Sequence, residues 1–242
     1  MTNVRCMPVA LCAILVAALA GWSHAASPTF GDPLNITNPF HPFQPGGVKV
    51  FTGMADGSRT TIVDIYLTTT RTFSLNGTSV PCHILQETEF GDGVRSEISQ
   101  NYFAQADDGA VYYFGELVDK YENGVVVSRE GSWLVGGPTQ PGDPPDAGKA
   151  PGPGLFMPAT PMVGDMFKPE DLFPIVDETV TVDDVGLTVR TPGGAFSNGI
   201  RVKETSQLPG PPETKWYASG VGVLKGKAKG ERFALIASTF SP

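Results

Sequence analysis

The chain has 242 residues, with 25 acidic against 17 basic side chains and a formal charge of −8 at pH 7. A surface of that sign repels phosphate backbones and excludes nucleic acid as a partner class. Its 29 Gly and 22 Pro fall between short apolar runs, and helical periodicity is almost absent, which excludes a helical bundle.

Residues 1–25 read as a secretory signal peptide. Arg5 supplies a short positive head, Pro8 to Ala20 an apolar run, and Ser23-His24-Ala25 a small-x-small site. Cleavage is expected after Ala25, with a periplasmic or extracellular destination. No later apolar segment approaches the roughly 20 residues of a membrane-spanning helix. Cys6 and Cys12 fall in this leader, so Cys82 is left without an intramolecular partner. In a strand-like run it reads as a small buried hydrophobe.

Residues 26–47 form an extended, Pro-rich N-terminal segment, and 48–242 a single β domain. Strand signals cover Val48–Thr52, Thr60–Thr69 and Val80–Phe90, separated by turns at Asp56-Gly57 and Asn76-Gly77. Asp92-Gly93 leads into a three-stranded meander from Ile98 to Val135, whose turns are Asp108-Gly109 and Asn123-Gly124. Gly136 to Gly154 is almost entirely Gly, Pro, Asp and small residues, and reads as a surface loop between two halves of one fold, with a linker between two domains or a lid over a cavity mouth as the alternatives. Beyond it, Lys168 to Leu172 predicts a short helical turn, with Pro169 near its start and acids behind it. Short strands are then expected at Glu178–Val182, Gly186–Thr191, Gly199–Thr205, Lys215–Ala218, Gly222–Lys225 and Phe233–Ser238.

Treating both meander turns as two-residue loops fixes a register. Asp107 then pairs with Ala110, Phe103 with Phe114, and Asn101 with Glu116. On the next strand Phe114 pairs with Trp133, Glu116 with Gly131, and Val118 with Arg129. One face therefore carries a row Phe103–Phe114–Trp133, bordered by Asn101, Glu116 and Arg129. Aromatic neighbours favour burial, so this face is expected inward. An inward carboxylate beside an amide and a guanidinium makes either an ion pair that pins register or a polar anchor in an aromatic-lined cavity.

Motifs for nucleophilic, nucleotide or metal chemistry are absent: there is no G-x-S-x-G, H-E-x-x-H, C-x-x-C, P-loop or G-x-G-x-x-G. Cys82 and His83 are adjacent and point to opposite faces of a strand. The acid pairs Asp107-Asp108, Glu170-Asp171 and Asp183-Asp184 do not follow a calcium-loop spacing. No catalytic residue, cofactor or metal ligand is expected from these patterns.

Several segments carry a resemblance: Tyr102 to Gly109, Val111 to Glu116, Tyr121 to Gly124, Glu130 to Trp133, Asn38-Pro39-Phe40, Met157-Pro158-Ala159 and Tyr217 to Gly222. Together they resemble a family of secreted bacterial envelope proteins to which no activity is assigned. The order of these landmarks also resembles envelope proteins of the lipoprotein-carrier kind, whose curved antiparallel sheet wraps an apolar cavity. The resemblance implies a periplasmic or extracellular home and supplies neither substrate nor catalytic residues. Where that family carries an acid, this chain has Asn101, which speaks against a two-carboxylate role.

The expected fold is all-β: a curved antiparallel sheet or an open, lipocalin-like barrel with at most one or two helical turns. The expected function is binding of an apolar or amphipathic small molecule on the concave face. Phe103, Phe114, Trp133 and Trp216 would line it, with Asn101, Glu116 and Arg129 as polar groups. A structural module of the envelope without ligand, and a hydrolase or metal-dependent enzyme using inward acids, are the alternatives.

Overall fold

Four two-residue turns set the register of the first half. Asp56-Gly57, Asn76-Gly77, Asp92-Gly93 and Asn123-Gly124 each hold both residues at positive φ, between 48° and 87°. Asn, Asp and Gly take that conformation at least cost, and its twist matches that of the strands it joins. The computed structural model describes residues 27–241; the signal-peptide expectation lies outside them.

The first three join β1 (Val48–Ala55), β2 (Ser58–Leu75), β3 (Thr78–Gly91) and β4 (Val94–Gln105), and the fourth joins β5 (Val111–Glu122) to the short β6 (Val125–Ser128). Three brief strands follow: β7 (Trp133–Val135), β8 (Gly148–Ala150) and β9 (Gly154–Met157). The second half contributes β10 (Met166–Leu172), β11 (Val176–Thr191), β12 (Gly194–Thr205), β13 (Glu213–Ala218), β14 (Gly222–Ala228) and β15 (Glu231–Ser238). No helix occurs among the described residues, and the fold is all-β. The helical turn predicted at Lys168–Leu172 is part of strand β10 instead. Pro169 sits at an irregularity between Phe167 and Glu170, where the ladder to β11 needs no N–H from it.

Thirteen strands form one continuous path, β10-β11-β12-β13-β14-β15-β1-β2-β3-β4-β5-β7-β8, with β6 and β9 pairing β5 to the side. Among the described strands, only β7 and β8 run parallel. The path curls until β10 returns against β9 and β8. Gly154 of β9 lies so close to β10 that a Cβ there would fall 1.9 Å from the Pro169 carbonyl oxygen. The result is a nearly closed barrel.

Two single-residue irregularities correct the meander. At Asp108-Gly109 the Asp108 carboxylate accepts from the Ala110 N–H, and Gly109 alone takes positive φ. The loop is therefore three residues long, with Ala106 bonded to Ala110, and every inner pair slips by one. Phe103 faces Tyr113, and not Phe114 as expected. A bulge at Phe114, followed by Gly115 at φ 132°, takes up the slip and restores Asn101 opposite Glu116. Only Gly fits there, because a Cβ would lie 2.3 Å from the Trp133 carbonyl oxygen.

Both faces of this half are covered. Opposite the lumen, Phe73, Val80, Cys82, Ile84, Tyr102 and Phe114 form an outer core, with Phe30 packed edge-on against Phe114. The Gly136–Gly154 loop reaches this face: Asp143 accepts two bonds from the Arg71 guanidinium, at 2.7 and 2.8 Å. Arg71 in turn lies over the Phe73 and Tyr102 rings. Cys82 is fully buried in that layer, and burial holds its thiol well above its ordinary range.

Candidate functional site

The N-terminal segment crosses one end of the barrel and closes it. Asn38 holds it there: its amide donates to the carbonyls of Gly109 and Pro158, both at 3.0 Å, and its N–H donates to Gln105 Oε1. Gly220 N–H donates to Pro39 O, tying in the turn before β14. Phe43 stacks on His83 at 4.1 Å and meets Tyr66 edge-on. His41 projects into the lumen between Phe103 and Phe156, 4.4 and 4.6 Å away. Pro at positions 39, 42 and 45 suits this role, since the segment crosses strand ends without needing a ladder of its own.

Above this aromatic floor lies a cavity of about 310 Å³. Phe51, Ile62, Tyr66, Leu85, Tyr217 and Phe233 contribute apolar surface. The remaining wall is dominated by acids from eight strands: Asp64, Glu87, Glu89, Glu97, Glu116, Glu170, Glu178, Glu213 and Glu231. Against them stand two ammonium groups. Lys49 is buried opposite Asp64, its Nζ over the Tyr66 and Phe240 rings. Lys215 pairs with Glu204 at 2.7 Å and Glu213 at 3.5 Å. The lining continues past Glu170 and Glu178 into a surface recess with Asp177 and Glu204.

So many carboxyl groups cannot all ionise in one partly desolvated space. Burial, reinforced by the Glu170 carboxylate, holds Glu116 well above the usual range. Glu170 is raised by burial, against the pull of the Trp133 indole N–H, 3.3 Å away, and Lys215. Glu87, opposite Asp64 across β2 and β3, is raised strongly by burial and by Asp64. Burial also raises Asp64, though Lys49 opposes it. Toward the mouth, burial and then Glu97 push Glu89 up to about 7, and burial takes Glu204 to about 8 despite Lys215. His41 is driven down to about 3 by burial and then by Lys49, so it is neutral at every physiological pH. At neutral pH the wall therefore holds several protons.

One hydrogen-bonded group organises the middle of the wall. Tyr113 hydroxyl meets Asn101 Oδ1 and, at 3.1 Å, Glu116 Oε2. Asn101 donates to Ser99 Oγ at 3.0 Å. The Asp64 and Glu87 carboxyl groups are hydrogen-bonded to each other, whereas the buried His41 Nε2 lacks a partner. Among the described residues, no cluster of three or more His, Cys, Asp or Glu is arranged to hold a metal ion.

Of the residues singled out in the sequence, Phe103, Asn101 and Glu116 line this cavity. Trp133 stands one layer behind, opposite Glu116 and edge-on to Tyr113 at 5.2 Å. Phe114 lies on the outer face, moved there by the bulge. Arg129 is half exposed and bonds Asp119 at 2.8 Å, outside the lumen, because β6 ends before it and a loop precedes β7. Trp216 also points outward, under the Lys225 ammonium, since its neighbours Lys215 and Tyr217 take the two inward positions. Of the wall acids, Glu170 was noted in the sequence only as part of an acid pair, and Asp64, Glu87, Glu89, Glu97, Glu178, Glu213 and Glu231 were not singled out. Their signal is alternation, as in Glu87-x-Glu89, Glu97-x-Ser99-x-Asn101 and Glu213-x-Lys215-x-Tyr217.

No protein-family model matches the chain, and no curated protein matches it. Among solved structures, it is similar to the crystal structure of a Bacteroides fragilis protein with a YmcC-like fold. That likeness has 13% sequence identity and a TM-score of 0.44, over 83% of this chain and 98% of the other.

Proposed function

We propose that this chain is an exported binding protein that holds one amphipathic small molecule inside its barrel. The observation that carries the reading is the lumen itself, about 310 Å³ with an aromatic floor at His41, Phe103 and Phe156 and a polar wall above it. That volume is at the lower end of small-molecule sites, where an apolar lining with a few convergent polar groups is usual. Asn101, Glu116 and Tyr113 would orient the polar end of the ligand. The leader-like residues 1–25 support export.

Native mass spectrometry of protein isolated from its own cell envelope tests this directly. A small-molecule adduct is expected, and Ser99→Phe, which fills the lumen from a buried wall position, should abolish it. An adduct that survives Ser99→Phe, or no adduct at all, overturns the reading.

The raised carboxyl pair Glu116 and Glu170 supports a second reading, an acid–base hydrolase working in the same lumen. Glu116→Gln separates the two. It abolishes turnover in a hydrolase and leaves a carrier's adduct in place or weakened.

A further inference from the structure

The outer face of β12 to β15 carries the opposite charge to the lumen. Its positions follow from the ladder: Lys203, Thr214, Lys227, Arg232 and Met54 lie on one rung, and Arg201, Trp216, Lys225, Ala234 and Thr52 on the next. The intervening Glu213, Lys215, Tyr217 and Phe233 line the cavity instead. Neither rung holds a carboxylate, and Lys229 adds a further cation in the turn between β14 and β15. Lys203, Lys227, Lys229 and Arg232 are exposed. Among the described residues, Arg201 alone of these cations has an ion-pair partner, with Asp183 and Asp184 of β11 at 3.8 and 3.7 Å. Lys227 stands directly opposite Arg232, a like-charge arrangement that destabilises a sheet left to itself. Nine acids line the lumen, so the net charge of −8 does not describe this face. Half-buried Trp216 lies between Arg201 and Lys225, whose Nζ is 4.7 Å from its ring. Two recesses meet at this indole, about 250 Å³ beside Lys225, Lys227 and Arg232, and about 520 Å³ beside Arg201, Lys227 and Lys229.

We propose that this face docks the protein on a bilayer surface rich in anionic phospholipid. Each cation held near such a surface is worth about fivefold in affinity. Lipid phosphates seated in the recesses would give Lys227 and Arg232 a shared counter-charge, which removes the cost of placing them opposite each other. Trp216 suits the same boundary, since an indole has an apolar body and a polar N–H and settles at headgroup level. A soluble polyanion would use the cations and leave the indole without a role. The contact lies on the outside of the barrel and is independent of whatever the lumen holds.

Flotation of the full mature chain with two kinds of vesicle tests this: phosphatidylcholine alone, and phosphatidylcholine mixed in equal parts with phosphatidylglycerol. Binding to the mixed vesicles alone is expected, with release as salt rises from about 0.1 to 1 M and the screening length falls from about 10 to 3 Å. Trp216 emission should shift to the blue on binding, whereas Trp133 is sealed in the barrel wall and should not respond. Lys227→Gln combined with Arg232→Gln should weaken binding about 25-fold, two cations at about fivefold each. Lys149→Gln, at an exposed position on β8, should leave it unchanged. Equal binding to the neutral vesicles, binding that survives the double substitution or high salt, or no binding overturns the inference. So does binding to a sulfated glycan such as heparin with both vesicles left free, which would assign the face to a soluble polyanion. Should the double variant not fold, the lipid ranking and salt dependence of the unaltered chain decide the matter.

Discussion

Tyr113 is asked to satisfy two acceptors with one phenolic proton, Asn101 Oδ1 and Glu116 Oε2. A protonated Glu116 resolves this by donating back to the phenolic oxygen, which agrees with the direction in which burial moves its carboxyl group. Tyr113 is itself buried and stacked on Phe103 at 4.8 Å, so the ring would stay in place without its hydroxyl. Tyr113→Phe should therefore destabilise the protein by about 1–3 kcal/mol, the cost of leaving a buried acceptor open. Urea unfolding checks it, and a midpoint unchanged from the parent would mean that water replaces the hydroxyl. At this scale the expected pairing of Asn101 with Glu116 is present, but because two one-residue irregularities cancel and not because the turn sets it. The place of Phe114 was not readable. Two one-residue irregularities separate it from its expected neighbours, and neither has a signature beyond Asp108-Gly109 and Gly115 themselves.

Among the elements, the Pro/Gly-rich segment 136–154 behaves differently from its composition. It has little apolar surface of its own, which is why it reads as a free loop. Yet Asp143 is driven onto Arg71 in a site where both side chains are about 5% exposed, and it also accepts the Thr139 and Gln140 N–H groups. Removing one partner of a buried, doubly bonded pair leaves the other charge unpaired, so Asp143→Ala should cost about 3–5 kcal/mol. Thermal unfolding measures it; a loss below about 1 kcal/mol would put this pair with ordinary surface ion pairs. The Arg71 hydrogen bonds hold Asp143 down to about 2, below its ordinary value of 3.8. Its contribution is thus complete above pH 3.8 and is lost as the pH falls through about 2. Turns were legible as elements because Asp-Gly and Asn-Gly accept positive φ, although Asp108-Gly109 shows that the dipeptide does not fix the loop length. Which face of β2 to β5 is inside was less legible, because both faces are buried and the more aromatic one is not uniformly the lumen. Strand β10 was misread for a related reason: acids after a Pro suit a helix start as well as a polar barrel wall.

For the whole molecule, the acid-lined lumen reverses the usual relation between pH and stability. Glu89 and Glu204 have folded-state values of about 7 and about 8, against 4.5 in the open chain. Between those limits these two groups bind more protons in the folded state than in the unfolded one, and so lower stability as the pH rises from about 4.5 to 8. They outweigh buried neutral His41, which acts in the opposite sense up to its open-chain value of 6.5. The Asp143 pair acts only below that window. The melting temperature should consequently be higher at pH 5 than at pH 8, and scanning calorimetry across that range checks it. A flat or rising profile would mean that water reaches the wall well enough to ionise it freely.

Closure of the barrel has one more consequence, and it concerns time. β1 is sealed on one side by β15, with Thr52 against Ala234 and Met54 against Arg232. The first strand to be synthesised would wait for the last before its second edge is covered. Its hairpin with β2 forms early, from local contacts, but the ring cannot shut until nearly two hundred residues have followed. Long-range pairing of that kind makes folding slow and leaves a strand edge open to other chains meanwhile. Lys49 sits on that edge, beside the floor, and goes dry only when the ring closes.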